Sequence, residues 1–497
     1  MADQLVCGID SSTQSTKVEL REAGSGQLVA TGRGTHPATA PPASEQDPRV
    51  WWSALRDALG EVGGHLADVA AVAVAGQQHA LVLVDDAGDP LRPAKLWNDT
   101  TSAPHASALV EHHGAREWAA DAGSVPVASF TVTKLAWVAD NEPEVLDRTR
   151  RIMLPHDYLT WRLTGEHITD RGDASGTGWW SPRDGTYARS LLGLVVDDPD
   201  GWLERLPRVL GPDEPAGRVT TAAAAATGLP AGALVTCGTG DNMAAALGLG
   251  LEPGDVVMSL GTSGTVYAVS DEPTSDASGL VAGFADATGR YLPLVCTLNA
   301  TGVTEMVAGW LGVEVDALAD LALDAGTPDT PLILVPYLEG ERTPDLPTAT
   351  GLLTGVRRGT GRADLARATH LGVLCGLFAG VDALTRSGVT LGGRRLLVGG
   401  GARSAAFRAF AADLWQAPVV VPAAEEAVAA GACVQAASGL HGEPSGDVAR
   451  RWSLGTGTTI EPPGLVDTDE VRAAYADAAD AAARLADRPP VTRPRRP

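Results

Sequence analysis

The run Leu5-Val6-Cys7-Gly8-Ile9-Asp10-Ser11-Ser12-Thr13-Gln14-Ser15-Thr16-Lys17-Val18-Glu19-Leu20 decides the fold. Residues 5–10 and 16–20 have the apolar, β-branched make-up of strands, and the Ser/Thr/Gln stretch between them is a short polar turn. A third strand around 27–31 makes a meander. The pattern returns about 250 residues later, with a strand at Asp255–Leu260, the turn Gly261-Thr262-Ser263-Gly264 and a strand at Thr265–Val269. Tyr291–Thr297 then stands where the third strand would. Two strand–turn–strand openings predict two domains of similar topology. Two unrelated hairpins would leave the same trace.

Strands and helices alternate outward from these hairpins. Val69–Ala75 reads as a buried strand ending at Gly76, and Ala233–Cys237 as another, followed by Gly238-Thr239-Gly240-Asp241 and an Ala-rich helix. The second half continues with a helix near 363–386, a strand at Arg395–Val398, the run Gly399-Gly400-Gly401 and a helix from about Ser404. This is the grammar of an α/β protein. Glycines and a proline in Gly248–Gly254 mark a boundary. The expected division is therefore 1–248 and 249–487, followed by an Arg/Pro-rich tail, 488–497, expected to be disordered. Asp467-x-x-Glu470 resembles a capping box opening a last helix.

With 497 residues, 44% hydrophobic and 20% charged, the chain has ample material for two cores. A formal charge of −23 argues against a nucleic-acid or membrane-surface partner, since both need a positive footprint. No uninterrupted apolar stretch reaches the ~18 residues of a membrane span. The five cysteines are widely spaced and form no C-x-x-C pair, and no signal-like leader opens the chain, so a cytoplasmic location is expected. Only Lys17, Lys95 and Lys134 are lysines, and none follows a glycine, which excludes a Walker A loop. The His-Arg-Asp loop of protein kinases is absent too.

Several residues have two readings each. Asp10, at a strand's carboxyl end before hydroxyl-bearing residues, either starts a polar turn or holds a hydrated metal beside phosphate. Asp241 is either a helix cap or a general base kept ionised by the helix N-terminus. Gly399-Gly400-Gly401-Ala402-Arg403-Ser404 is a tight βα turn or a place where a nucleotide approaches bare backbone. Gln77-Gln78-His79 and Trp97-Asn98-Asp99 suit a polyhydroxylated ligand, and loop packing would use the same residues.

Taken together, the residues resemble the FGGY family of carbohydrate kinases. Ser129-Phe130-Thr131-Val132-Thr133-Lys134-Leu135-Ala136-Trp137-Val138-Ala139-Asp140-Asn141 is similar to the family's first signature. The stretch from Gly351 to Thr369 follows the second, which then departs at His370 and Leu371. Glu45-Gln46-Asp47-Pro48, Gly76–His79, Leu96–Asp99, Leu154–Tyr158 and Gly340-Glu341-Arg342-Thr343-Pro344 extend the resemblance over nearly all the chain. Ser12 stands where a glycine is usual. Members acting on glycerol carry Arg-Glu where this chain has Gln78-His79.

The resemblance implies two actin–hexokinase (ribonuclease-H-like) α/β domains flanking a catalytic cleft. It implies ATP and Mg²⁺ as cofactors and D-xylulose as the sugar, phosphorylated on its 5-hydroxyl. Asp241 would be the general base, and Asp10 would face the substrate while orienting Mg²⁺ through water. Gln78, His79, Trp97, Asn98 and Asn242 would hold the sugar. Ser12, Thr13, Gln14, Gly261, Thr262, Gly400, Gly401 and Ser404 would bind the nucleotide. A homodimer is the candidate assembly. Ribulose, gluconate or glycerol are alternative substrates, and a non-catalytic actin-like ATPase or sugar sensor is the alternative of another class.

Overall fold

The structure, a computed structural model, describes residues 4–326, 331–338, 340–423 and 426–486. The tail 488–497 lies outside the described residues. The chain packs as two compact units. Unit 1 comprises Met1–Pro253, Val269–Pro293 and Ala424–Thr456, and unit 2 comprises Gly254–Ala268, Leu294–Ala423 and Gly457–Pro497.

In unit 1, Leu5–Ser11 pairs antiparallel with Ser15–Glu22, which pairs antiparallel with Leu28–Thr35. On its other side Leu5–Ser11 runs parallel to Val69–Gly76, and that strand carries Leu234–Thr236 and Thr239–Gly240 along its far edge. Side chains alternate across the first strand. Cys7 and Ile9 join the core built around Trp51, Leu55, Leu59 and Tyr158. Trp51, fully buried, comes from the helix Pro48–Glu61, which Asp47 caps and Pro48 opens. Truncating such a side chain to Ala costs about 3–5 kcal/mol.

Gly8 faces the opposite way, and there the structure departs from the expected contiguous division at 248/249. The helix Ala427–His441, placed in the second domain by sequence order, packs within unit 1. A Cβ at Gly8 would lie 2.1 Å from the Ala429 carbonyl oxygen, and one at Gly431 would lie 1.8 Å from that of Ala244. At Gly248 it would lie 2.1 Å from the Ala427 oxygen. Backbone thus meets backbone, which only glycine permits. The Lys17 ammonium lies 2.5 Å from Glu426, just ahead of this helix.

Unit 2 repeats the topology. Val256–Leu260 pairs antiparallel with Gly264–Ala268, which pairs antiparallel with 294–297. Val256–Leu260 also runs parallel to Arg395–Val398, beyond which lie Val419–Pro422 and Gly457–Ile460. The 25-residue helix Arg362–Arg386 is long and apolar enough by composition to cross a membrane, but 78% of its most apolar window is buried inside the protein. It is a core helix of this unit. His370, the departure from the second signature, is fully buried on it, 4.6 Å from the Phe407 ring, with its pKa pushed down to about 4 by burial. On the last helix, Thr468–Ala486, the expected cap is half present: Asp467 accepts from the Glu470 N–H at 3.1 Å.

Candidate active site

Three adjacent parallel strands of unit 1 end together. Asp10 and Thr239 lie on either side of Ala75 in the sheet, and Ser11 and Gly240 on either side of Gly76. Asp10, the run Gln77-Gln78-His79 and the pair Asp241-Asn242 therefore emerge at one edge, from the carboxyl ends where open α/β sheets bind their ligands. The helix Asp241–Gly248 has Gly240 as its N-cap, one residue earlier than the cap reading of Asp241 requires.

A hydrogen-bond chain ties these residues. Asn242 Nδ2 donates to Gln78 Oε1 and to Asp241 Oδ1, each at 2.9 Å, and the Asn242 N–H reaches the same carboxylate at 2.8 Å. The Gln78 amide nitrogen interacts with the Asp173 carboxylate without reaching standard hydrogen-bond geometry. Gln77 Nε2 and Asn98 Oδ1 are buried without a hydrogen-bond partner among the described residues, which suits a ligand that supplies hydroxyls. His79 Nδ1 bonds the Gly176 carbonyl at 2.9 Å, so Nδ1 carries a proton.

The Trp97-Asn98 loop is fastened from behind by the buried Lys95. Its ammonium meets Glu45 at 2.9 Å, Thr101 Oγ1 at 2.7 Å and the Trp137 ring centroid at 3.7 Å. Trp97 Nε1 donates to Thr13 Oγ1 at 2.9 Å, and that hydroxyl lies 3.3 Å from Gln77 Oε1. Thr13, expected on phosphate, thus has its side chain joined to residues expected on the sugar. Ser12 Oγ donates to Asp10 Oδ1 at 2.5 Å, and Gln14 is exposed, its carbonyl accepting from the His36 N–H.

Burial pushes the Asp10 pKa up to about 6, against the pull of the Ser12 hydroxyl and Lys17. Asp241 is half-buried on its surface but densely surrounded. That desolvation, with the negative charges of Asp10 and Asp173, pushes it up to about 7, outweighing its bonds from Asn242. Burial and like charge thus act against the helix N-terminus, which favours the ionised form.

Sequence reasoning did not find the group beneath. His156 is fully buried, with Nδ1 2.5 Å from Asp173 Oδ2 and Nε2 3.2 Å from Asp157 Oδ1. Burial lowers the His156 pKa, and Asp157, Asp173 and Asp170 more than reverse this, pushing it up. His156, Asp170 and Asp173 are close enough to ligate a metal, but the short N–O contact is already a charge-assisted hydrogen bond. The group is an ion cluster next to the strand end, where a Cβ at Gly76 would lie 2.9 Å from the His156 backbone nitrogen.

Unit 2 presents a different surface at its hairpin. The Gly261 carbonyl accepts from Thr301 N–H at 3.0 Å and Oγ1 at 2.9 Å, and the Thr262 carbonyl accepts from the Ala300 N–H at 3.2 Å. In a trans peptide N–H points opposite to C=O. The N–H groups of Thr262 and Ser263 therefore face away from the helix Thr301–Leu311, an arrangement suited to an anion. Glu341 braces the approach, accepting from the Leu298 N–H at 2.6 Å and Asn299 Nδ2 at 2.9 Å. Its only sequence signal was a charge inside Gly340–Pro344. Gly399 has φ +86, and a Cβ there would lie 2.7 Å from the Leu260 oxygen, while one at Gly401 would lie 2.7 Å from Leu260 Cβ. Gly400 is exposed beside them. Ser404, expected on the nucleotide, caps the helix Ala405–Trp415, its oxygen accepting from the Phe407 N–H.

Comparison with known proteins adds the following. Residues 5–248 match the model of the N-terminal domain of the FGGY family of carbohydrate kinases, and residues 256–440 match that of its C-terminal domain. A xylulose kinase of Streptomyces rubiginosus is 48% identical over 469 residues, 94% of each chain. One of Escherichia coli is 34% identical, covering 82% of this chain and 84% of its own. The crystal structure of xylulose kinase from Bifidobacterium adolescentis superposes with a TM-score of 0.85 at 40% identity, covering 96% of this chain and all of that one. That of Rhodospirillum rubrum gives 0.89 at 28% identity, with 98% and 100% covered.

Proposed function

Because the chain belongs to the FGGY family of carbohydrate kinases, ATP-dependent phosphotransferases with a two-domain actin–hexokinase-like fold, we propose that its substrate is D-xylulose and its product D-xylulose 5-phosphate. The observation that carries this reading is the bonded set Gln78–Asn242–Asp241 at the strand ends, with a carboxylate whose pKa is near 7. A general base works best when its pKa lies near the working pH. The relatives at 47–48% identity are named xylulose kinases, which favours xylulose over other sugars.

In this reading Asp241 accepts the proton of the 5-hydroxyl as that oxygen attacks the γ-phosphorus of ATP, and the bond from that phosphorus to the β,γ-bridging oxygen breaks so that ADP leaves. Gln78, His79, Asn98 and Asn242 hydrogen-bond the other hydroxyls, and the Trp97 ring covers a C–H face. Thr262 and its turn bind phosphate through N–H groups, and the Gly399–Gly401 run lets the adenosine lie on backbone. Ser12, Thr13 and Gln14 serve the phosphates from the first hairpin. A hard divalent cation takes oxygen ligands, and Asp10, whose charge already raises Asp241, fits a hydrated Mg²⁺. The ion would supply neutralisation of phosphate charge.

The proposed functional halves are a sugar-binding and catalytic half over 1–248 and a nucleotide-binding half over 249–487 from which the helix Ala427–His441 returns to the first unit. A cytoplasmic location is part of the same proposal and suits five free cysteines. A homodimer is tested by light scattering. Release of ADP, measured with xylulose, ribulose, gluconate and glycerol, decides the substrate: preference for any sugar other than xylulose overturns it. A sugar sensor would show binding without turnover.

A further inference from the structure

The first signature of the family, 129–141, sits on the helix Thr131–Asn141 and its approach, and the reaction as proposed leaves it without a task. Its Lys134 is fully buried. Burying an ammonium is costly unless it is well bonded, and this one donates to two backbone carbonyls, those of His79 at 3.1 Å and of Ser129. Thr131 Oγ1 donates to the same His79 carbonyl at 3.1 Å.

His79 itself is unusual. Its φ is +68°, in the left-handed region that side-chain-bearing residues rarely occupy. Its ring lies 5.1 Å from the Phe130 ring at an interplanar angle of 14°, and 5.5 Å from that of Phe284. A Cβ at Gly176 would come within 2.4 Å of the imidazole, so that side is closed by bare backbone. The signature therefore grips His79 twice: Phe130 lies on its ring, and Thr131 and Lys134 hold its carbonyl.

We propose that Lys134 and Thr131 are positioning residues for sugar recognition, fixing the left-handed backbone of His79 and so the direction in which its ring points. The inference rests on the reading of His79 as a sugar contact.

The test uses the full chain with D-xylulose and ATP. Lys134→Met lowers kcat/KM for the sugar about 10-fold and leaves the KM for ATP unchanged. Thr131→Val lowers it about 3-fold, and Thr131→Ser, which keeps the hydroxyl, restores it. Residues acting through His79 are non-additive with it, so Lys134→Met costs no more than about 2-fold in a His79→Ala background. A full 10-fold loss there, or equal losses for sugar and ATP, overturns the proposal and leaves Lys134 a structural residue. If Lys134→Met does not fold, the Thr131 series and its cycle with His79→Ala decide in the same terms. A His79→Ala protein with normal sugar kinetics refutes the sugar contact instead. The histidine ¹⁵N resonances then still report on the grip: a His79 signal indifferent to Thr131→Val overturns it.

Discussion

In unit 1 the strand Leu5–Ser11 carries the buried carboxylate of Asp10 one register pair before the turn, and its parallel neighbour runs on into Gln77-Gln78-His79. In unit 2 the matching pair on Val256–Leu260 is Ser259 with Thr265, and the parallel neighbour runs on into Gly399-Gly400-Gly401. One topology thus ends in side chains at one corner and in bare backbone at the other. Side chains can discriminate hydroxyls and move a proton. Backbone N–H groups and glycines can hold phosphate and a flat base, which carry the same groups in every molecule of ATP. In the proposed reading, the difference assigns specificity and chemistry to the first corner and generic nucleotide grip to the second.

The largest test of that contrast is Asp241→Asn. It should lower kcat by ~10²–10⁴ and leave ATP affinity, measured by calorimetry, nearly intact. Activity within a few-fold of the parent would return Asp241 to a structural role. The same variant should melt higher at pH 8, because a carboxylate with a raised folded pKa loses stability as pH rises from about 4 through about 7.

Gln78→Ala comes next. It strands the Asn242 amide and should cost ~1–3 kcal/mol in kcat/KM for xylulose, with the KM for ATP unmoved. Gly399→Ala is the mirror image: a strained, crowded position, expected to raise the KM for ATP about 10-fold and spare sugar binding. If each variant harmed both substrates equally, the division of labour would be wrong.

A pH profile sharpens the picture further. Since Asp241 must be unprotonated to accept a proton, kcat/KM should fall about tenfold per unit below pH 7 and flatten above it. The smallest effect on activity is expected at His370. His370→Phe should leave turnover unchanged and remove a loss of stability as pH falls from about 6.5 towards 4, where the unfolded ring binds a proton that the buried ring cannot. Melting curves at pH 7.5 and 5 would check it.

Local signals read well from the chain. Both hairpins, the strands at 69–76 and 395–398 and the helix at 362–386 announce themselves through runs of apolar residues and the glycines that end them. The gathering of Asp10, Gln78, Asp241 and Asn242 was expected from the family resemblance, and they meet where neighbouring strands end. Long-range facts were not. Gly248 reads as part of a boundary turn in sequence, and only its partner reveals backbone packing. The Asp241 pKa depends on Asp10 and Asp173, far away in the chain. The upward shift of His156 depends on Asp157 beside it and on Asp170 and Asp173, which meet it only in space.

The seat of the helix Ala427–His441 on Gly8 has a consequence for the order in which the protein can be made. The first strand leaves the ribosome early, but the helix that covers one of its faces is encoded more than 400 residues later. At about 5–20 residues per second the delay is roughly 20 to 90 s. For that time the nascent sheet shows an uncovered face bearing glycine and the mouths of its backbone, a surface that invites holding by a chaperone. Ribosome-arrested chains of increasing length should gain protease resistance in their first 250 residues only after residue 441 has emerged, and a chain ending at 423 should aggregate rather than fold.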